Sequence, residues 1–318
     1  MNGVTTVKYK EEKNKVNYTW KEFKKQKYLQ IMVIPWVIWL IVFSYIPMYG
    51  IIIAFKEFQI GNGILGSPWV GFMQFKMFFN NPEFFNIMKN TLGISILKLV
   101  IGFPAPIILA LLLNELTHAK FKKLVQSVSY LPHFISWVIM AGIITRILSG
   151  EGGVINELLM AIGLLQEPIT FLGEPQYFWG ILVLSDIWKG VGWGSIIYLA
   201  AISNVDQGMY EAAAIDGAKR FQRIWHITLP SIAPTIVILL IFSVSGILNA
   251  GFDQIYLLQN PLVLDVGEVL DTYVYKVGIS QARYSYSTAV GLFKSVVGFI
   301  LILITNWLAK KVSDQGIF

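Results

Sequence analysis

The chain contains no cysteine. That excludes disulfides, thiolate catalysis, cysteine-held metal and a lipid attached through an N-terminal cysteine. Histidine is almost missing too, with only His118, His133 and His226 among 318 residues. Neither HExxH nor GxSxG occurs, and no GxxxxGK[ST] occurs. Zinc-protease, nucleophile-elbow and nucleotide P-loop chemistry therefore have no sequence support. Charge is scarce: Asp, Glu, Lys and Arg together make up 14%, against about 25% in an ordinary soluble domain. Hydrophobic residues make up 55%, and the mean hydropathy is +0.60. A chain with so little polar surface belongs in a bilayer. Nor is there a soluble domain, because the longest polar connections, of about 30 residues, are too short to form a core alone.

What is present is a set of six apolar runs, 31–54, 91–113, 124–148, 177–201, 232–252 and 287–309. Each is long enough for about 30 Å of hydrocarbon at about 1.5 Å per residue. The first exceeds the apolar core of a secretory signal, about 7–15 residues, and no small-x-small cleavage site follows it, so it is expected to stay in the protein. Lys and Arg placement orients the spans. The N-terminal tail to Gln30, the loops after the second and fourth runs, and Lys310 and Lys311 hold 16 of the 25 basic residues. Loops 55–87, 149–176 and 257–286 hold four basic and nine acidic residues. The fold class expected is an all-α integral membrane protein with six transmembrane helices and cytoplasmic N- and C-termini. Residues 1–30 form a basic cytoplasmic tail and 31–318 the membrane domain. The net charge of +6 then reports topology, and no nucleic-acid partner is implied; the bilayer is the partner.

Pro35, Pro47, Pro104, Pro106 and Pro132 predict kinks in the first three spans, whose freed carbonyls must be met by neighbouring helices or water. Residues 154–165 carry apolar side chains at helical spacing and predict a short amphipathic helix at the outer interface.

Charges inside spans are costly and face the bundle interior or water. They are Lys98, Arg146, Asp186, Lys189 and Lys294. Asp186 and Lys189, three residues apart, are expected to pair on one helix face, and Arg146 to snorkel to the outer interface. Lys98 and Lys294 have no sequence-local partner and are candidates for a solute pathway. The stretch "SDIWKGVGWGS" adds Trp188, Trp193 and Ser195, and "LNAGFDQIY" adds Asn249, Asp253 and Gln254. Hydroxyl, amide and aromatic groups of this kind suit sugar recognition. The four cations Lys98, Arg146, Lys189 and Lys294 extend that to an acidic oligosaccharide.

One polar stretch stands apart: "EAAAIDGAKRFQRIWHITLP", residues 211–230, between the fourth and fifth runs. Residues 210–215 favour helix, Gly217 permits a turn, 218–226 can form a second helical stretch, and Pro230 enters the fifth span. Small residues allow close approach by another surface, and charges can set its register. From spacing alone, docking and an ordinary amphipathic connector stay equally open. The pattern Glu211-Ala212-Ala213, three residues, Gly217, nine residues, Ile227-Thr228-Leu229-Pro230 resembles the EAA loop of type I ABC importer permeases. "GSPWVGF", "GFPAPIILALLLNEL", "VSYLPHFIS", "GWGSIIYLAAI" and "YSYSTAVGLF" resemble their carbohydrate-uptake branch, most nearly the lipoprotein-dependent, aldouronate-type sugar permeases.

That resemblance implies the type I permease fold and a coupling loop at about residues 202–231. There Glu211, Ala212, Ala213, Asp216 and Gly217 would contact an ATPase. It implies a subunit without catalytic residues, metal or cofactor of its own, with ATP and Mg on the partner. The implied partners are a second homologous permease, two ATP-binding subunits, an extracytoplasmic solute-binding lipoprotein and an oligosaccharide. The implied location is the bacterial plasma (inner) membrane. A permease of the same fold for another small solute, an ion-gradient carrier and a membrane enzyme are the alternatives.

Overall fold

The computed structural model describes residues 25–313; the lysines of the tail before residue 25 lie outside them. The chain divides into two compact units, Met1–Ile52 and Ile53–Phe318. The first holds most of α1 (Lys27–Phe55), an apolar helix without a charge after Lys27.

In the second unit the elements that position the candidate site are α2 (Met73–Phe79), α3 (Phe84–Glu115), α4 (Ala119–Tyr130), α5 (Trp137–Ile147), α6 (Val154–Ala161), α7 (Pro175–Ser203), α8 (Gln207–Ile215), α9 (Arg220–Ser245), α10 (Phe252–Leu258), α11 (Leu270–Tyr275) and α12 (Tyr284–Ser313). Among the described residues, non-helical pairing is confined to one isolated bridge, Lys56 with Trp69. Five helices, α1, α3, α7, α9 and α12, are long and apolar enough to cross a membrane, and a sixth span results if α4 and α5 count as one.

Pro35 and Pro234 sit inside continuous helices, while other prolines are passed by a widened turn. A proline nitrogen cannot donate to the carbonyl four residues back. At three places the helix opens into a five-residue π turn that ends two residues before the proline. These are Ile41–Tyr45 before Pro47, Lys98–Gly102 before Pro104, and Ile224–Thr228 before Pro230. The wider turn carries the chain past the missing donor, and the helix continues. Pro132 has no such turn before it. There the chain tightens into the 3₁₀ segment Leu131–Phe134 and bends by 105° into α5. The kink expected at Pro132 is thus a full break in the span expected over 124–148. A hydrogen bond from the Ile139 amide to the Ser136 hydroxyl restarts the helix.

The fifth span also differs from the expected 232–252. It begins earlier, at Arg220, and ends at Ser245. The Gly246 amide caps back onto the Phe242 carbonyl, and Gly251 takes φ +103°, a conformation that L side chains rarely adopt. The chain then turns into α10. The amphipathic helix expected over 154–165 forms over the shorter Val154–Ala161. Fully buried Asn156 anchors its loop. It donates to the Ser149 and Ile169 carbonyls at 2.7 and 2.8 Å and accepts from the Ile169 amide at 2.9 Å.

α7 is the spine of this unit, packed against α3, α4 and α9. Three buried clusters surround it or flank it. One joins Ile94, Met140, Phe178, Leu182 and Ile255. A second joins Phe78, Ile87, Leu270, Tyr273 and Tyr286. A third joins Ala110, Tyr198, Ile202, Val205 and Ile232. α4 and α7 approach so closely at Gly192 that a Cβ there would collide with the Ser129 carbonyl.

Candidate translocation cavity and coupling loop

The charged loop forms the helix–turn–helix expected of it. Asp206 caps α8 by accepting from the Gly208 amide at 2.8 Å. The C-terminus of α8 closes in a Schellman turn. The Gly217 amide donates to the Ala214 carbonyl and the Ala218 amide to the Ala213 carbonyl, with Gly217 at φ +79°. A Cβ at Gly217 would meet no atom within 4 Å, so the glycine serves the backbone conformation alone. The side chain of Gln222 accepts from the Lys219 amide at 2.8 Å and starts α9. Beneath the loop, the Tyr210 hydroxyl meets buried Thr228 Oγ1 at 2.9 Å. Tyr210 and Ile227 pack on the cluster around Ile202 and Val205. Above it, Glu211, Ala212, Asp216 and Gly217 are exposed and Ala213 is half-buried. Ile215 is 87% exposed, and Phe221 and Trp225 are 74% and 61% exposed, stacked at 6.4 Å. The loop is a rigid base bearing an apolar surface, which is unusual for a polar connector.

The intramembrane charges are arranged differently from the local expectation. Asp186 does not pair with Lys189. Lys98, on α3, reaches Asp186 at 3.6 Å and donates to the Ala250 carbonyl at 2.8 Å and to Gln254 Oε1 at 2.6 Å. Gln254 is fully buried, and its amide donates to the Leu182 carbonyl and Ser185 Oγ at 2.7 and 2.8 Å. It therefore braces Lys98 from within the wall. Lys189 instead donates to the carbonyls of Pro132, His133 and Ile135 at 3.3, 2.8 and 2.5 Å. Its ammonium also lies 5.6 Å from the centre of the Trp137 ring. It closes the bend between α4 and α5, where those carbonyls flank the break. Lys294 pairs with Asp271 on α11. Burial of a charge is tolerated where it is matched in this way.

Cavities lie beside two of these cations. Lys98, Asp186, Asn249 and Ser95 line one of about 210 Å³. Within it the Ser95 hydroxyl is buried with no hydrogen-bond partner among the described residues. Asn249, Asp271 and Lys294 line two more, of about 570 and 530 Å³. Asn249 belongs to all three and is exposed. Phe252, Tyr256 and Tyr275 form an aromatic cluster at the first of the large cavities, with ring centres 5.2–5.3 Å apart.

The other sequence candidates sit elsewhere. Asp253 is exposed on α10, and Arg146 is exposed near the end of α5. Trp188 and Trp193 are 43% and 47% exposed on α7, with Trp193 stacked on His133 at 4.5 Å. Ser195 is buried and donates to the Gly192 carbonyl. Asp271 and Ser95 escaped the sequence reading. Their partners or cavities come from distant segments, and no local spacing marks them.

Residues 102–314 match the family described as "Binding-protein-dependent transport system inner membrane component". Protein LplB of Bacillus subtilis (strain 168) is 50% identical over 295 residues, covering 93% of this chain and 92% of its own. The polygalacturonan/rhamnogalacturonan transport system permease protein YteP of the same organism is 48% identical over 316 residues, covering 99% and 97%. A chain from the crystal structure of a bacterial alginate ABC transporter, in complex with alginate pentasaccharide-bound periplasmic protein, superimposes with a TM-score of 0.86. That match has 41% identity and covers 94% of this chain and 99% of that one. The charged loop, the matched cations and the fold thus belong to one architecture, and the chain is a member of the binding-protein-dependent inner-membrane components, the permease subunits of ABC transporters.

Proposed function

We propose that this permease imports an oligosaccharide bearing carboxylates, in a complex with a second permease, two ATP-hydrolysing subunits and an extracytoplasmic binding protein. The lysine and arginine distribution supports cytoplasmic termini, which put the loop between α8 and α9 on the cytoplasmic side. Relatives named for polygalacturonan and alginate transport support an acidic sugar. Mg and ATP belong to the partner; this chain supplies no catalytic group. Solute passes through cavities along α9, α11 and α12, with the second permease forming the facing wall.

The observation that carries the reading is the loop itself. Glu211, Ala212, Asp216 and Gly217 stand on an internally braced turn beside exposed Ile215, Phe221 and Trp225. A surface that is rigid, apolar and edged by charge suits a permanent protein contact. Closure of the ATPase dimer then displaces α8 and α9 together, because α9 continues from the loop into the membrane, and access to the cavity switches.

Mild-detergent purification with mass spectrometry tests this. Wild-type chain should bring down a nucleotide-binding subunit, a second multi-span permease and a binding protein. Glu211→Arg should still insert in the membrane yet lose the nucleotide-binding subunit or its coupling to transport. Full transport by that variant would refute the docking role.

A further inference from the structure

Asn249, Asp271, Val274 and Lys294 line both of the larger cavities. These four residues therefore form the partition between them. On one side lie Phe252 and Ser287, near the start of α12; on the other, Gly291, Ser295 and Ile302 lie farther along the same helix. From Ser287 to Ile302 the helix covers about 22 Å at 1.5 Å per residue, so the two cavities together follow most of the hydrocarbon thickness, about 30 Å.

The pair in this partition differs from the other matched cations. Lys189 spends its donors on three carbonyls, and Lys98 is held by a carbonyl and a buried amide as well as by Asp186. Among the described residues, the hydrogen bond and the ion pair of Lys294 both go to Asp271. Each side chain keeps 20% exposure, so solute in either cavity can reach the pair. Opening it without a substitute leaves two half-buried charges unpaired, which is strongly unfavourable. A carboxylate arriving from the cavity removes that cost on the lysine side, because it reproduces the charge-assisted bond that Asp271 made. Asn249, on the same partition, offers both an amide donor and an acceptor to hydroxyls beside that carboxylate. The exposed rings of Tyr256 and Tyr275 (45% and 37% exposed) stand by the first cavity as flat faces for pyranose rings.

We infer that the Asp271–Lys294 pair is a specificity checkpoint, at which a uronate carboxylate replaces Asp271 on Lys294 as the oligosaccharide passes from one cavity to the other. The inference rests on the importer reading above and adds to it the residues that discriminate charge within the membrane. No bond is made or broken; one ion pair is exchanged for another. A neutral sugar meets the closed pair and gains nothing by opening it. The exchange also removes one tie between α11 and α12, which stay joined through the Tyr273 and Tyr286 hydroxyls at 3.0 Å.

The test uses the assembled transporter in proteoliposomes, with trigalacturonate and its fully methyl-esterified form as solutes. The readout is the ratio of acid to ester uptake, compared between variants with the same binding protein present. Lys294→Gln should lower that ratio at least tenfold, because acid uptake falls much further than ester uptake. Lys294→Arg should retain it. Asp271→Asn should raise apparent affinity for the acid several-fold, because Lys294 then waits unpaired. The double variant Asp271→Asn/Lys294→Gln keeps the shape of the pair without its charge, so it protects against misfolding of either single variant and should also lose the preference. A ratio that does not move in Lys294→Gln and the double variant overturns the checkpoint and leaves the importer reading standing. Acid and ester uptake falling together in both variants also overturns it, because that is the result of a purely structural pair. Wild-type transporter that takes up neither solute refutes the importer reading for uronides, and the checkpoint with it.

Discussion

Lys189 closes the break between α4 and α5, and replacing it by methionine isolates that contribution. The substitution keeps the apolar stem and removes the ammonium. Three carbonyl contacts and the approach to the Trp137 ring are lost. A hydrogen bond involving a charged group contributes about 1.5–3 kcal/mol, whereas neutral contacts between membrane helices average about 0.6 kcal/mol. The longest contact, at 3.3 Å, adds little. Taking the two short ones as charged but partly compensated gives about 3 kcal/mol of preference for the bent form. The absence of cysteine allows spin labels at Lys120→Cys and Arg146→Cys without background reaction. With the 105° bend those positions stand about 22 Å apart, and a straight helix would put them about 39 Å apart. Wild type should give one narrow distance near the shorter value. Lys189→Met should give a broadened distribution reaching toward the longer one, together with a lower denaturation midpoint in detergent. A single unchanged peak with an unchanged midpoint would refute the assignment of Lys189 as the closing group and leave Pro132 as sufficient cause of the bend.

Three further expectations concern packing, backbone and protonation. Gly192→Ala should destabilise the chain by about 2 kcal/mol or more by overpacking, since its methyl group meets the Ser129 carbonyl, whereas Gly190→Ala, with open space around it, should be neutral in the same thermal-shift assay. Gly217→Ala should cost about 1 kcal/mol from the left-handed conformation alone and weaken recovery of the nucleotide-binding subunit less than Glu211→Arg does; equal losses would show that the glycine is itself a contact. Burial first, and then its hydroxyl contact with Tyr286, push the Tyr273 phenol above its ordinary value of 10.0. The folded chain keeps this proton after the unfolded chain has lost it, so the contribution is full below pH 10 and declines as pH rises further; Tyr273→Phe should flatten that decline, and an unaltered alkaline profile would disprove it.

The fold was legible wherever the signal was local. Apolar run length located α1, α3, α7 and α12, and the spacing from Glu211 to Gly217 located the turn that the Schellman hydrogen bonds close. What escaped was decided between segments. Pro132 marks a kink in 124–148, but hydropathy averages over the run and does not register that the chain there tightens into a 3₁₀ segment and turns by 105°. The fifth span was set too late because residues 220–228 are polar yet helical, and because Gly246 and Gly251 end the helix through backbone geometry that apolar content conceals. Charge pairing failed for the same reason. Spacing on one helix suggested Asp186 with Lys189, but Asp186 found its partner on α3. Lys294 lacked a neighbour in sequence because Asp271 lies on a different element. Gln254 looked like a solute contact by residue type, whereas its depth and its two donations place it inside the wall.

The π turn before Pro230 has a mechanical consequence. A proline at that point would ordinarily make a joint, and a joint would dissipate displacement between the loop and the membrane span. The wide turn carries the chain past Pro230, and α9 runs as one continuous helix from Arg220 to Ser245 with Pro234 inside it, about 39 Å long at 1.5 Å per residue. A tilt of about 10° around its midpoint moves each end by roughly 3 Å in opposite senses. Motion applied at the loop thus reaches the far end of α9 as lever travel reversed in direction, beside the wall that Asn249 shares among the three cavities.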